Sequence, residues 1–299
     1  MKKKIILFVA GFLLVLDIFV WQEVFHINSN RYLEINFFDV GQGDSAFIET
    51  PQGHQILIDG GPGSAVLEKL ARNMPFWDRS IDLVILTHPE KDHMQGLLDV
   101  LQKYKIDYFL WTGVARDDAE NKKLVELLGA MKDKNNSWLA ALSGKATKVV
   151  AVKAGQEIKL DNVLLDVVFP LDDLSGKELK SSSNNSSVVV RLIYKNKSFL
   201  FTGDIDEAAE KELTNYYGLT SLRSDVLKVA HHGSKYSSSD AFLEVVEPEI
   251  SVISVGQNSY GHPTSETLQR LEKFGIKVLR TDVDHDIKLM SDGNNININ

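Results

Sequence analysis

Ile85-Leu86-Thr87-His88-Pro89-Glu90-Lys91-Asp92-His93-Met94-Gln95-Gly96 is the end of an apolar strand running into a loop with two imidazoles and two carboxylates within six positions. The strand itself reads back to Ile81, and the loop opens toward a helix expected from Gly96 to about Tyr104. Imidazole nitrogen together with carboxylate oxygen suits zinc, manganese or iron. Thiolate ligation is excluded, because the chain holds no cysteine. The spacing lets His88 and Glu90 face one ion while Asp92 and His93 face a second. Two adjacent ions of that kind hold a bridging hydroxide at neutral pH.

The wider composition bounds the reading. With 299 residues, 43% of them hydrophobic, the chain can bury a substantial core. A formal net charge of -8 means that whole-protein electrostatics do not favour a polyanionic partner. Lys2-Lys3-Lys4 precede an apolar run from Ile5 to Trp21, broken only by Asp17, and no small-x-small cleavage site follows. That run is near the lower length limit for a membrane-spanning helix. The expected organisation is a signal anchor over residues 1–24, a linker over 25–33 and one folded domain over 34–299. Basic residues stay on the cytoplasmic side, so the domain is expected outside the cytoplasm. The alternative is secretion after signal cleavage.

Working outward, Leu33 to Phe38 alternates as a strand and leads into Asp39-Val40-Gly41-Gln42-Gly43-Asp44, then a second strand. Gln55-Ile56-Leu57-Ile58-Asp59-Gly60-Gly61 is a buried strand ending in a tight turn. Residues 117 to 133 read as an amphipathic helix with Leu124, Leu127, Leu128 and Met131 on one face. Further strands are expected near Thr147–Val152, Val163–Phe169, Val188–Tyr194, Ser198–Thr202, Asp225–Ala230, Ile250–Ser254, Lys277–Arg280 and Ile287–Met290. Several end on chemistry-bearing residues: Gly203-Asp204, His231-His232-Gly233 and Tyr260-Gly261-His262-Pro263. Paired imidazoles at a strand end rarely serve packing alone, since a buried neutral imidazole needs a partner. Counting the first loop, five of the chain's eight histidines (His88, His93, His231, His232 and His262) fall in strand-end loops.

The loop at His88 resembles the His-x-His-x-Asp-His motif of the metallo-β-lactamase superfamily, with Glu90 in place of the second His. Asp-Val-Gly-Gln-Gly-Asp followed by Leu-Ile-Asp-Gly-Gly resembles the opening of the domain attached to the DNA-uptake channel protein ComEC. The resemblance covers roughly residues 34 to 292. It implies an α/β fold, an αββα four-layer sandwich with the metal site where strand-end loops meet. It further implies that the Gly-Asp turn supplies Asp204 as a carboxylate between two metals, and that Asp59 and Asp44 stand behind the ligands and orient them. The superfamily's third His ligand to the first metal is replaced here by Asn184-Asn185-Ser186-Ser187. The implied sets are His88, Glu90 and an amide (Asn185) for one ion, and Asp92, His93 and His232 for the other. Of the twin imidazoles one is a ligand and the other a substrate contact, with His232 preferred as ligand. Asp92, His231 and His262 are the expected catalytic side chains, His262 or His231 assisting the leaving oxygen.

The resemblance implies a metal-dependent hydrolase with two divalent ions, zinc or manganese, the oxygen-rich first site making manganese plausible beside zinc. The expected substrate is a phosphodiester, single-stranded DNA in particular, with a DNA-uptake channel as partner and the membrane contacted through the N-terminal helix. Two alternatives stand beside it. One is a hydrolase of a small phosphoester (phosphorylcholine-type) or a lactone, and the other a non-catalytic binding module with a degenerate metal site.

Overall fold

A computed structural model describes residues 2–29, 32–132, 146–177, 183–218 and 221–299. Helix α1, Lys2–Ser29, carries the N-terminal apolar run and continues past the expected start of the linker at residue 25. Its stretch Lys3–Gln22 is long and apolar enough to cross a membrane, and none of it is buried against the rest of the chain.

The domain is built on two sheets. The first has eight strands: β1 Leu33–Phe37, β2 Ala46–Glu49, β3 Gln55–Ile58, β4 Ser80–Ile85, β5 Lys105–Trp111, β6 Lys148–Ala151, β14 Ile287–Ser291 and β15 Ile296–Ile298, in the order β15-β14-β1-β2-β3-β4-β5-β6. The second has seven: β7 Gln156–Leu160, β8 Val163–Phe169, β9 Val189–Tyr194, β10 Lys197–Phe201, β11 Val226–Lys228, β12 Ile250–Ile253 and β13 Lys277–Arg280, in the order β13-β12-β11-β10-β9-β8-β7. Leu83 and Ile85 of β4 point into the core between the sheets, whereas Val84 and Leu86 point to the outer face. Both faces of the strand are therefore apolar, which is why its sequence reads as an unbroken hydrophobic run rather than an alternation.

Helices α2 (Ala65–Asn73), α3 (Lys91–Lys103) and α4 (Ala119–Lys132) cover the outside of the first sheet. Helices α5 (Glu207–Tyr217), α6 (Asp240–Val246) and α7 (Ser265–Lys273) cover the second, and a one-turn helix, α8 (Thr281–Asp284), follows β13. The inter-sheet core is sealed by pairs such as Phe37 on Phe201, with ring centroids 5.8 Å apart. Three apolar layers thus separate four structural layers, the sandwich that the resemblance implies.

Register fixes which ends of the strands coincide. Phe37 pairs Ala46, Ala46 pairs Ile58, and Ile58 pairs Ile85. The segments that follow β1, β3 and β4 therefore leave the sheet at one end, carrying Asp44, Asp59 and His88. Strands β10 and β11 run parallel with Phe201 opposite Lys228, so Asp204 and the twin imidazoles leave the second sheet together.

Candidate metal centre

The side chains expected at the site come together at that shared end. Helix α3 begins at Lys91 and not at Gly96, so Asp92 and His93 occupy its first turn. Glu90 is the N-cap by backbone geometry, with no side-chain cap bond. Two glycines make this docking possible. A Cβ on Gly96 would stand 2.0 Å from the Gly60 carbonyl oxygen, and one on Gly43 would stand 2.2 Å from that of Asp92. Their absence lets the Gly60 N–H donate to His93 O at 2.7 Å, and the Asp44 N–H to Asp92 O at 3.1 Å.

Asp204 lies at the centre. Its Oδ1 is 3.3 Å from His93 Nε2, and its Oδ2 is 3.4 Å from His232 Nε2 and 3.9 Å from His88 Nε2. Asp92 Oδ2 reaches His232 Nε2 at 3.2 Å. All three imidazoles and Asp204 are buried. The Nε2 atoms of His88 and His93 and Oδ1 of Asp204 have no hydrogen-bond partner among the described residues. An isolated buried polar atom is costly, and three converging ones call for a shared cation.

The opposite edges of the rings are occupied by protein. Asp59 accepts from His93 Nδ1 at 2.8 Å and, through its other oxygen, from the Thr87 N–H at 2.8 Å. The Thr87 hydroxyl donates to Asp59 at 2.7 Å and lies 3.1 Å from His88 Nδ1. His232 Nδ1 is 2.8 Å from Ser254 O and 3.2 Å from Asp44 Oδ1. With Nδ1 atoms tied back in this way, the Nε2 lone pairs are aimed inward. Donor atoms of His88, His93 and Asp204 lie within 4.8 Å of one another, as do those of Asp44, His93 and His232. The second group runs through Nδ1 and already holds a cation, because Lys228 Nζ sits 2.6 Å from Asp44 Oδ2. The Nε2 face is therefore the one whose donor set fits a metal.

Electrostatics agree. Four carboxylates, of Asp44, Asp59, Asp92 and Asp204, face one ammonium, that of Lys228. Burial, reinforced by His93, pushes His88 down to about 3, so its imidazole is neutral and its lone pair free to ligate. Burial acts against charge on His93 and His232, but Asp204 and Asp44 outweigh it and raise both imidazoles well above their ordinary value. Protons on those rings balance the same negative charge that a divalent cation would.

Two of the expected ligands are elsewhere. The Glu90 carboxylate is taken by Arg116 and the Ser183 hydroxyl, each in close contact with Oε1. Asn185 is exposed and its Oδ1 accepts from the Asp206 N–H at 3.0 Å, so it serves the start of α5. Its neighbour Asn184 faces the rim instead, its Nδ2 being 3.3 Å from His231 Nε2.

His231 and His262 form the rim, with ring centroids 5.5 Å apart, and Tyr260 lies 5.8 Å beyond His262. Both twin imidazoles adopt positive φ, 52° and 53°, with His232 facing inward to Asp204 and His231 facing the rim at Asn184. The His262 loop is held by Asn258, which donates to His262 O at 2.8 Å and accepts from the His262 N–H at 3.1 Å. Burial lowers the His262 imidazole, aided by His231 and His232. Thr87, Lys228, Arg116 and Asn258 were not singled out by the sequence. Only Thr87, inside the quoted motif, had a signal that spacing could have used.

Residues 38–257 match the family model described as "Metallo-beta-lactamase superfamily". The chain is similar to ComE operon protein 3 of Bacillus subtilis (strain 168), 30% identical over 268 residues covering 83% of this chain and 32% of that protein. It is also similar to the Competence protein ComA of Neisseria gonorrhoeae, 28% identical over 251 residues covering 83% and 31%. The chain thus spans about a third of the length of these relatives. Among solved structures, the metallo-beta-lactamase fold protein YhfI from Bacillus subtilis superposes with a TM-score of 0.56 at 12% identity, over 87% of this chain and 99% of that one. CmlA, a diiron beta-hydroxylase from Streptomyces venezuelae, gives 0.51 at 13% identity, over 87% and 54%. At such identities these two share the fold.

Proposed function

Because the chain belongs to the metallo-beta-lactamase superfamily and is a metal-dependent hydrolase related to competence proteins, we propose that it cleaves phosphodiester bonds of DNA outside the cytoplasm. In this reading His88, Asp92, His93, Asp204 and His232 hold two divalent cations, zinc or manganese. The observation that carries it is the convergence of Nε2 atoms and unpartnered oxygen on Asp204. The relatives named for competence supply the DNA part, which is theirs by name and this chain's by proposal.

Divalent cations bound there would supply Lewis-acid charge and acidify water toward neutral pH. The chain's own groups do the rest. Asp59 and Thr87 fix the tautomers of His93 and His88 by engaging Nδ1, so both rings present Nε2 without rearrangement. The Ser254 carbonyl, accepting from Nδ1 at 2.8 Å, does the same for His232, with Asp44, held by Lys228, beside it. His231 and His262 stand at the open side, where a phosphoryl oxygen and the leaving oxygen would lie. His262 is uncharged at neutral pH, since burial lowers it, and so acts as a neutral hydrogen-bond donor to a phosphoryl oxygen. His231 or His262 assists the leaving oxygen.

The test is hydrolysis by the full chain in detergent with manganese or zinc added. Cleavage of a single-stranded oligonucleotide in preference to bis-p-nitrophenyl phosphate, lost in the Asp92→Ala and His93→Ala variants, is the expected result. Turnover of only the small ester moves the substrate to small phosphoesters. Product formation unchanged in both variants overturns the catalytic assignment.

A further inference from the structure

The end of the domain remote from the metal centre carries an unexplained feature: Phe76 and Trp77 are adjacent and exposed, 74% and 48%. Single exposed apolar side chains are ordinary, but two neighbouring aromatic rings held out together are not. The turn that presents them is built. The Asp78 N–H donates to Pro75 O at 2.9 Å, closing the turn. Asp78 then accepts from Gln55 Nε2 at 2.9 Å and from the Ser80 N–H at 3.0 Å, tying the turn to the starts of β3 and β4. The two rings meet edge to face with centroids 4.7 Å apart.

The sheet register says where that turn lies relative to α1. Glu34 pairs Glu49, Glu49 pairs Gln55, and Ile56 lies opposite Leu83. Strands β1, β3 and β4 therefore start at the same end of the sheet. The chain enters β1 at Leu33, four residues after Ser29 closes α1, a reach of at most roughly 14 Å. Strands β1 and β4 are three positions apart in the sheet, about 14 Å at the usual spacing. The C-terminal end of α1 and the aromatic turn thus share one end face, the apolar stretch itself stopping at Gln22, about 10 Å of helix before Ser29. Arg79 and Lys103 are exposed at this end too, one leading into β4 and the other closing α3.

We propose that this end face is a membrane-contact surface, with Phe76 and Trp77 seated at the headgroup boundary of the bilayer that α1 enters. Aromatic rings favour that boundary, and Arg79 and Lys103 match anionic headgroups there. The proposal rests on α1 spanning the membrane. It fixes the domain's orientation: with strands of five to six residues between the two ends, the metal centre opens away from the lipid at a height of roughly 16–20 Å or more. A polymeric substrate then approaches from the side that faces the surroundings, and not from between domain and bilayer.

The absence of cysteine makes the test direct. Phe76→Cys and Tyr260→Cys each place a single thiol at an exposed position, the second at the rim of the metal centre. The full chain, nitroxide-labelled at one or the other, is reconstituted in vesicles of phosphatidylcholine with phosphatidylglycerol. Collisions of the label with oxygen and with a water-soluble nickel chelate are then compared. The expected result is an oxygen-to-nickel ratio several-fold higher at position 76 than at 260. Equal, water-like ratios at both positions, in chains that float with the vesicles, overturn the contact surface while leaving the anchor intact. Chains that do not float overturn the anchor and the proposal together.

Discussion

Asp204 shows how much one carboxylate can organise: three imidazole Nε2 atoms approach it within 3.9 Å, and all three rings are buried. Its role was legible in the sequence through the family resemblance of its segment, because a Gly-Asp turn alone has many structural uses. Glu90 is the complementary case. It sits at the right spacing, but Arg116, distant in sequence, claims its charge. Glu90→Gln is accordingly expected to leave metal content unchanged, checked by elemental analysis of the purified full chain. Asp59→Asn removes the acceptor behind His93 and is expected to weaken metal affinity about 10–100-fold, measured by chelator competition. Lys228 was invisible because a lysine in Val226-Leu227-Lys228-Val229-Ala230 has no periodic signature. Its meaning lies entirely in the buried carboxylate opposite.

Elements were read best where both faces are buried and worst at their ends. The strand into His88 is plain in sequence, yet α3 starts five residues before the expected Gly96, so half the ligand motif is helical. An N-terminal turn needs no apolar periodicity, and Asp92 there suits the positive end of the helix. Strand β7, with its mixed Gln156-Glu157-Ile158-Lys159-Leu160, gave no clear signal because it is an edge strand. Packing at the α3 start is tight: Gly96→Ala is expected to cost about 1–3 kcal/mol or more, read as a lower Tm. Gly129→Ala in α4, whose Cβ meets nothing, is expected instead to gain up to about 1 kcal/mol. At the start of β11, burial would raise the Asp225 carboxyl, but Lys197 Nζ at 2.7 Å and the Ser198 N–H at 2.8 Å hold it below its ordinary value. A depressed carboxyl stabilises the fold above its unfolded value, and that stability is lost as pH falls through the folded one. Asp225→Asn should therefore lower Tm at neutral pH and converge on the wild type only once pH has fallen below the ordinary carboxylate range.

At the scale of the molecule, two sheets and the helices outside them bring loops from opposite halves of the chain to one end, while α1 attaches at the other. The layered architecture was implied by the family resemblance, with which unbroken apolar strands alternating with helices agree. The orientation of the sheets, and with it the company each ligand keeps, could not be read in the sequence, because register and long-range ion pairs leave no local trace. The net charge of -8 also gives no hint that four carboxylates, those of Asp44, Asp59, Asp92 and Asp204, gather at one centre. The central claim is that these loops build a cation site around Asp204, and metal content tests it most directly. The full chain, purified without chelator, is expected to carry two divalent ions per molecule, falling to fewer than one in the Asp204→Asn variant with the fold intact by circular dichroism. A wild-type chain that takes up neither zinc nor manganese, or an Asp204→Asn chain that holds as much, would contradict it.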